Sequence, residues 1–430
     1  MIIHLDLDCF FVSAERTRSS CLKDKPVVVV KSSDQAIFLP SSQSHVLTQS
    51  VGMFSSLVQA KRTWRGFDPE AWKQEFIDDQ GNIHGVCVAK SYEAKRYGIQ
   101  TGTPLAEALR LCPHLLIVPE DHLFYQILSH RLREFLQTKI PVLEQYSIDE
   151  FWGDLSGWVK DEETEKFMRS LQAEILERFD LPVSIGASSS KWIAKLATEL
   201  NKPFGITLIP KDRIKQTIAP LPIEDFPGIG RSLSARLRRY GIQTLGELLE
   251  AKSLLYGWGH IGRELYARVE GSDNEPVVAY HDRRSIGISR SFPLTHDRVT
   301  LRRYLMILAR HLAHMISMLH LQPTTYWVKF RYEQGLSSST STTINRLFSE
   351  VLLRTLATTL MKQIDIYPEH GIYHISLSAS NFITRAKPKT YELIEFDQDQ
   401  QRHHLTEKIT KLREKYGMNI IMSGAETILA

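Results

Sequence analysis

The character of the sequence changes near residue 211, and that break constrains the fold more than any single motif. Upstream, apolar strands alternate with helical stretches; downstream, glycine turns separate short Arg-rich helices, and a third pattern of long strands and helices begins near residue 283. Such unlike patterns do not share one core, and 430 residues accommodate about three domains of ~150 residues. Net charge divides the same way: −4 over residues 1–210, +10 over 211–390 and −2 over 391–430. Lys and Arg on phosphates supply most nonspecific nucleic-acid affinity, so a polyanion would bind the basic segment.

Apolar residues at 43% and charged residues at 24% fall in the ordinary globular range, which excludes a wholly disordered or collagen-like chain. Cys9, Cys21, Cys87 and Cys112 include no C-x-x-C pair. Neither a zinc site nor a disulfide framework has its spacing, and a reducing cytoplasm is the expected setting. No apolar run approaches the ~18 residues of a spanning helix, so no membrane partner is expected. Asp6 and Asp8 interrupt the N-terminus where a signal peptide would stay apolar, and it reads as a strand.

In the first half, residues 2–7 and the PVVVV run from Pro26 read as buried strands, and residues 86–88 as a third. The stretch 33–84 is long and rich in Ser, Gln and Thr, and reads as an insertion with a helix around Asp68 to Phe76. A helix over Leu123–Leu136, a strand-turn-strand over Pro141–Leu155, a helix through Phe167, Leu171 and Ile175, a strand at Val183–Ile185 and a helix at Lys191–Leu200 then follow. This alternation argues a sheet covered by helices. Phe226-Pro227-Gly228-Ile229-Gly230 and Gly257-Trp258-Gly259-His260-Ile261-Gly262 read as turns of helical hairpins, with 272–284 as a linker. Thr300–Leu319 is amphipathic, and Thr325–Tyr332 alternates with Lys329 and Arg331 on one face. A polar strand, a helix and a strand at Ile372–Ala379 close a separate α+β domain.

The strongest constellation is acidic. Asp6 ends an apolar strand, and Asp149 and Glu150 adjoin in a turn; carboxylates so placed repel unless a cation sits among them. Oxygen-only ligation suits Mg²⁺, and two such ions support phosphoryl transfer. Spacing alone offers Asp8 as the partner of Asp6, since residues i and i+2 share a strand face. A solitary strand-end acid is ordinarily just solvated, so the set carries weight only together.

Ile3-His4-Leu5-Asp6-Leu7-Asp8-Cys9-Phe10-Phe11, Tyr92-Glu93-Ala94-Lys95, Ser147-Ile148-Asp149-Glu150, Ser184-Ile185-Gly186 followed by Lys191 and Ala194-Lys195, Asn201-Lys202-Pro203-Phe204-Gly205, and Phe226-Pro227-Gly228-Ile229-Gly230 stand in the order found in Y-family DNA polymerases. The chain resembles the bacterial DinB/UmuC-like branch of that family, over all but the insertion and residues 391–430. The resemblance implies a multidomain α/β right-hand fold. Its parts would be an α+β palm with a ferredoxin-like sheet (1–18 and 116–210), small fingers (19–115, insertion at about 33–84), a helix-hairpin-helix thumb (211–275), an α+β little-finger domain (276–390) and a C-terminal tail (391–430).

The implied activity is template-directed addition of deoxynucleotides to a primer 3′ end, of the low-fidelity translesion kind used in DNA repair. On that likeness Asp6, Asp149 and Glu150 are catalytic and, with the Leu7 carbonyl, hold two Mg²⁺ ions; the family pattern selects Asp149 rather than Asp8. Phe11, Tyr92, Lys95 and Lys202 map to the nucleotide site, Phe11 as an aromatic gate under the sugar and the others on the triphosphate. Phe10 and Phe11 are expected on a strand or its extension, with rings on opposite sides. Gly228, Gly230 and Arg231 would hold DNA phosphates at a helix N-terminus. Arg284, Arg290, Lys329 and Arg331, with Arg346, would track the duplex. Primer-template DNA and a deoxynucleoside triphosphate are the expected partners of a cytoplasmic monomer.

The likeness has departures. Lys95 stands where the family usually has arginine, replacing a bidentate grip with a point charge. Phe151 and Trp152 are bulkier than expected after the acidic pair. Tyr391-Glu392-Leu393-Ile394-Glu395-Phe396 occupies the place of a sliding-clamp peptide without its leading glutamine, and a surface tail is the plainer reading. A catalytically silent DNA-binding paralogue is the alternative function, though it would not need all three acids. A palm-type nucleotide cyclase is a third, though it would not need the basic second half.

Overall fold

The computed structural model describes residues 1–31, 35–38, 44–46, 58–60, 66–384, 390–391 and 394–426. The chain divides into two compact units. The first takes in Met1–Val30 and the described chain from 66 to His281; the second takes in Lys31, the described pieces between 35 and 60, and the described chain from Asp282.

In chain order the first half supplies β1 (Ile2–Leu7), α1 (Phe10–Arg18), β2 (Val27–Lys31), the antiparallel pair β3 (Ser44–Val46) and β4 (Val58–Ala60), α2 (Trp72–Phe76), β5 (Val86–Lys90), α3 (Tyr92–Lys95), α4 (Leu105–Leu111) and β6 (Leu116–Pro119). There follow α5 (His122–Gln137), β7 (Val142–Gln145), β8 (Glu150–Asp154), α6 (Thr164–Phe179), β9 (Val183–Ser188), α7 (Lys191–Leu200) and β10 (Ile206–Leu208). The main sheet has the order β10-β9-β1-β8-β7, antiparallel except where β10 lies beside β9. Alternation along β1 buries Ile3, Leu5 and Leu7 in a core with α5 and α6, which leaves His4 and Asp6 on the opposite face. Helix α7 covers that face at backbone contact. A Cβ on Gly186 would stand 2.3 Å from the Ala194 carbonyl and the Thr198 amide, so glycine is required there.

A smaller sheet, β5-β2-β6, encloses a second core of Val28, Val30, Cys87, Leu105 and Ile117. Trp72 and Phe76 are buried in it as well. The expected insertion at 33–84 is therefore too long: its C-terminal part belongs to this core, and the polar composition concealed two aromatics that fill it. At the other end of the same stretch, Ile37 and Phe38 pack in the core of the second unit, where Phe38 stacks on Tyr304 at 4.0 Å. Residues 39–43, 47–57 and 61–65 lie outside the described residues.

The helices α8 (Ile214–Ile218), α9 (Arg231–Arg239), α10 (Leu245–Glu250), α11 (Lys252–Gly257) and α12 (His260–Glu270) form the basic helical region. Their core contains Ile223, Phe226, Leu237 and Leu265, and takes in Ile193, Leu196 and Ala197 from α7. The second glycine turn is shorter than expected. Gly262 lies inside α12, where a Cβ would meet the Leu255 carbonyl at 1.9 Å, so this glycine permits a helix contact rather than a turn.

The second unit continues with β11 (Ser285–Thr295), α13 (Arg298–Met318), β12 (Pro323–Tyr332), β13 (Ser337–Thr343), α14 (Glu350–Ile364), β14 (Ile372–Phe382) and α15 (Phe396–Tyr416). Its antiparallel sheet, β11-β14-β12-β13, packs one face on α13 and α14. The surface tail expected from 391 onward is instead largely helical and built in. Arg413 on α15 pairs with buried Glu350, while Glu426 pairs with Arg310 at 2.7 Å and with Arg354 at 2.5 Å.

His314, on α13 close to this network, is buried. Burial lowers it to about 4, helped by Arg413 and Arg310 and opposed by Glu350. Its unfolded counterpart titrates near 6.5, so the unfolded chain binds the proton first, and stability is lost as pH falls from about 6.5 toward 4. We expect this group to contribute about 3 kcal/mol of that loss. Urea unfolding across this range should show a shallower pH dependence for His314→Gln than for the parent; equal slopes would contradict a neutral buried imidazole.

Candidate active site

The acids meet where β1 ends and β8 begins. Cross-strand register places Asp6 opposite Glu150, and the Leu7 amide donates to the Asp149 carbonyl at 3.1 Å. Ser147 fixes the turn before β8: its hydroxyl donates to the Asp149 carboxylate and accepts from the Glu150 amide at 3.2 Å. Burial, opposed by Lys202 and reinforced by repulsion from Asp149 and Glu150, pushes Asp6 up to about 8. Asp149 is raised too, by burial and against the pull of Ser147, with Glu150 adding repulsion.

Two lysines answer these charges. Lys202 Nζ lies 2.8 Å from Asp6 Oδ2 and 2.6 Å from Glu199, and Lys195 on α7 pairs with Glu150. Among the described residues, no three His, Cys, Asp or Glu side chains are gathered tightly enough to grip an ion together. The acids are instead shared out between ammonium groups. Three part-buried carboxyl groups facing two lysines still form an all-oxygen donor set, and that chemistry fits a hard divalent cation.

Asp8 has a different place from the one that strand spacing offered. The strand ends at Leu7, and Cys9 adopts a left-handed conformation (φ 48°) ahead of α1, so the alternation stops. Asp8 is buried and accepts from the Tyr92 hydroxyl at 3.1 Å, from Ser184 at 3.0 Å and from the Phe204 amide at 2.8 Å. Burial raises it, with the Phe204 amide opposing. It ties α3 and the loop after α7 to the sheet. Of the three residues mapped to a triphosphate, Tyr92 and Lys202 thus border the acids, while Lys95 is exposed at the end of α3.

Phe10 and Phe11 are the first residues of α1, not a strand extension. Phe10 is core, whereas half-buried Phe11 stacks on Tyr125 at 4.5 Å with an 18° interplanar angle, and its edge meets His122. Sequence reasoning passed over Lys195, Ser147, Ser184 and Tyr125 as site residues. Lys195, Ser147 and Ser184 stood within quoted motifs, but only the fold shows what they touch.

The basic residues separate into two groups. Gly228 has φ 98°, Gly230 precedes α9 and Arg231 begins it, exposed. In the second unit, Thr325, Trp327, Lys329 and Arg331 of β12 point away from the core, opposite the hydroxyl-bearing Ser337, Ser339, Ser341 and Thr343. Arg284 is exposed just before β11. Arg290 lies on the other face: it pairs with buried Ile375 and shares its side of β11 with Ile286, Ile288 and Phe292, so it does not join this surface. Arg346 is also diverted, into ion pairs with Asp399 and Glu395.

The chain is similar to known proteins along most of its length. The pattern of the impB/mucB/samB family matches residues 5–199, its HHH motif residues 211–242 and its C-terminal domain residues 283–393. DNA polymerase IV of Clostridium kluyveri is 29% identical over 365 residues, covering 81% of this chain and 90% of the relative. DNA polymerase IV of Stenotrophomonas maltophilia is 30% identical, covering 68% and 67%. Among solved structures, a chimera of the Y-family DNA polymerases Dbh and Dpo4 has a TM-score of 0.70 at 22% identity, covering 89% of this chain and 99% of its own. An insertion ternary complex of Dbh polymerase has a TM-score of 0.57 at 21% identity, with the same coverage.

The role of Asp8 can be measured. Asp8→Ala leaves the Ser184 hydroxyl and the Phe204 amide without their acceptor, which should cost about 2–4 kcal/mol in urea unfolding. A loss below about 0.5 kcal/mol, the scale of an ordinary surface change, would remove Asp8 from the framework.

Proposed function

Because the chain belongs to the impB/mucB/samB family, the Y-family polymerases of the DNA polymerase IV type, we propose that its part-buried acidic set is the site of nucleotidyl transfer. The protein is a DNA-directed DNA polymerase of the translesion kind. One observation carries the site assignment: Asp6, Asp149 and Glu150 converge where β1 ends and β8 begins, three carboxyl groups facing the ammonium groups of Lys202 and Lys195. No observation favours a catalytically silent paralogue.

Y-family polymerases use divalent metal ions, and here Asp6, Asp149, Glu150 and the Leu7 carbonyl would hold two Mg²⁺. Bound there, the ions supply activation of the primer hydroxyl and neutralisation of charge on the phosphates. Lys202, freed from Asp6, is within reach of the same place and with Tyr92 and Lys95 would bind the triphosphate. Tyr92 makes this move by leaving Asp8. Phe11, backed by Tyr125, would lie under the sugar and exclude a 2′-hydroxyl. Primer-template DNA would run over Gly228, Gly230 and Arg231 and along the face bearing Arg284, Lys329 and Arg331, through phosphates rather than bases. The enzyme would work as a cytoplasmic monomer. Ile394, fully exposed between Tyr391 and Phe396, supports a sliding-clamp contact there.

Asp149→Ala and Glu150→Ala should each lower primer extension by ~10³-fold or more while primer-template affinity stays near the parent's. Near-normal extension by either variant would overturn the assignment. Phe11→Ala should admit ribonucleotides and keep some deoxynucleotide incorporation, whereas Phe10→Ala should chiefly cost about 3–5 kcal/mol of stability. Single-nucleotide incorporation of matched ribo- and deoxyribonucleotides decides between the two rings.

A further inference from the structure

Glu144 on β7 is 1% exposed, and the chemistry above does not use it. Its carboxylate accepts from Lys191 Nζ at 2.9 and 3.0 Å, from the Val278 amide at 2.8 Å and from the His281 ring at 2.9 Å. Val278 and His281 belong to the linker that follows α12. The same linker is fastened to the start of α7 at three more points. Ser190 donates to Asp273 at 2.5 Å, the Trp192 indole donates to Glu275 at 2.8 Å, and Lys191 Nζ donates to the Pro276 carbonyl at 3.3 Å.

Lys191 and Lys195 stand one helical turn apart and lie over the same indole, 4.5 and 5.7 Å from the Trp152 ring centre. That indole donates to the Lys191 carbonyl at 3.2 Å, and strand register sets Trp152 opposite Glu144. One lysine therefore ends on Glu144, the carboxylate that holds the linker, and the other on Glu150.

We propose that Glu144 is a positioning residue for the polymerase reaction: by clasping the linker to Lys191 it fixes α7 over Trp152, and so fixes where Lys195 meets Glu150. An ammonium at this depth does not remain without a partner, so opening the clasp sends Lys191 to other acceptors and carries α7 with it. The linker's attachment and the geometry of a catalytic carboxylate are then two ends of one lever.

The inference rests on the polymerase reading, and the test keeps the two apart. In the full chain, Val278→Pro removes one donor to Glu144 from the linker side alone. Glu144→Gln combined with Lys191→Met removes the clasp without leaving a lone buried charge. Amide exchange over 191–196 and 276–281, read without metal or DNA, should rise in both variants. Under saturating Mg²⁺, kcat for one deoxynucleotide should fall about 5–10-fold with KM within about twofold, as when an interaction acts on the chemical step rather than on binding. Glu144→Asp, which keeps the charge, should recover part of the loss. If the linker amides open while exchange over 191–196 and kcat stay at the parent's values, the clasp is structural only and the proposal fails. If the parent itself extends no primer, the polymerase reading fails, and the exchange comparison still decides the coupling.

Discussion

Everything around the acids depends on how closely α7 lies against the sheet. The absence of a side chain at Gly186 lets the Ala194 carbonyl and the Thr198 amide occupy space that a Cβ would fill. At that distance Thr198 reaches His4 at 2.9 Å, and Lys195 reaches Glu150 across Trp152. The outer side of the same helix gives Ile193, Leu196 and Ala197 to the core of the basic helical region. One helix thus serves two cores. A larger residue at 186 would lift it from both, because close-packed interiors transmit such a shift rather than absorb it.

The charge arrangement follows from this placement. Three carboxylates brought together by strand ends would oppose folding through desolvation and mutual repulsion if nothing answered them. Lys202 and Lys195 answer two, Ser147 supports the third, and Asp8 is satisfied separately by Tyr92, Ser184 and Phe204. The chain can therefore assemble its acidic centre from its own residues.

Much of the frame was legible because long segments keep a clear period. Strand β12 sends Tyr326, Val328, Phe330 and Tyr332 inward and Thr325, Trp327, Lys329 and Arg331 outward, as alternation requires. The same rule, applied one strand earlier, turns Arg290 inward with Ile286, Ile288 and Phe292, a case in which period decides against charge. Trp72 and Phe76 were hidden because two aromatics in a polar stretch make no pattern, although they fill a core. Helix α15 was hidden for the opposite reason. It is held by ion pairs such as Arg413 with Glu350, and paired charges leave no apolar stripe to read. At the site, the motifs named the acids, but the turn at Cys9 that places Phe11 on a helix and retires Asp8 from the acid set depends on backbone conformation that the residue types did not announce.

That same C-terminal helix bears on how shortened forms of the protein are to be understood. Arg310, Arg354 and Arg413 meet Glu350 and Glu426 in a buried knot whose strands come from α13, α14, α15 and the turn beyond it. Cutting the chain after the family's C-terminal domain, near residue 393, would remove Arg413 and Glu426 together, leaving Arg310 without its carboxylate partner and Glu350 with Arg354 alone. A truncation designed to discard a partner-binding appendage would in this protein dismantle a supporting wall, and any defect it produced would report on the integrity of the second unit before it reported on a lost partner.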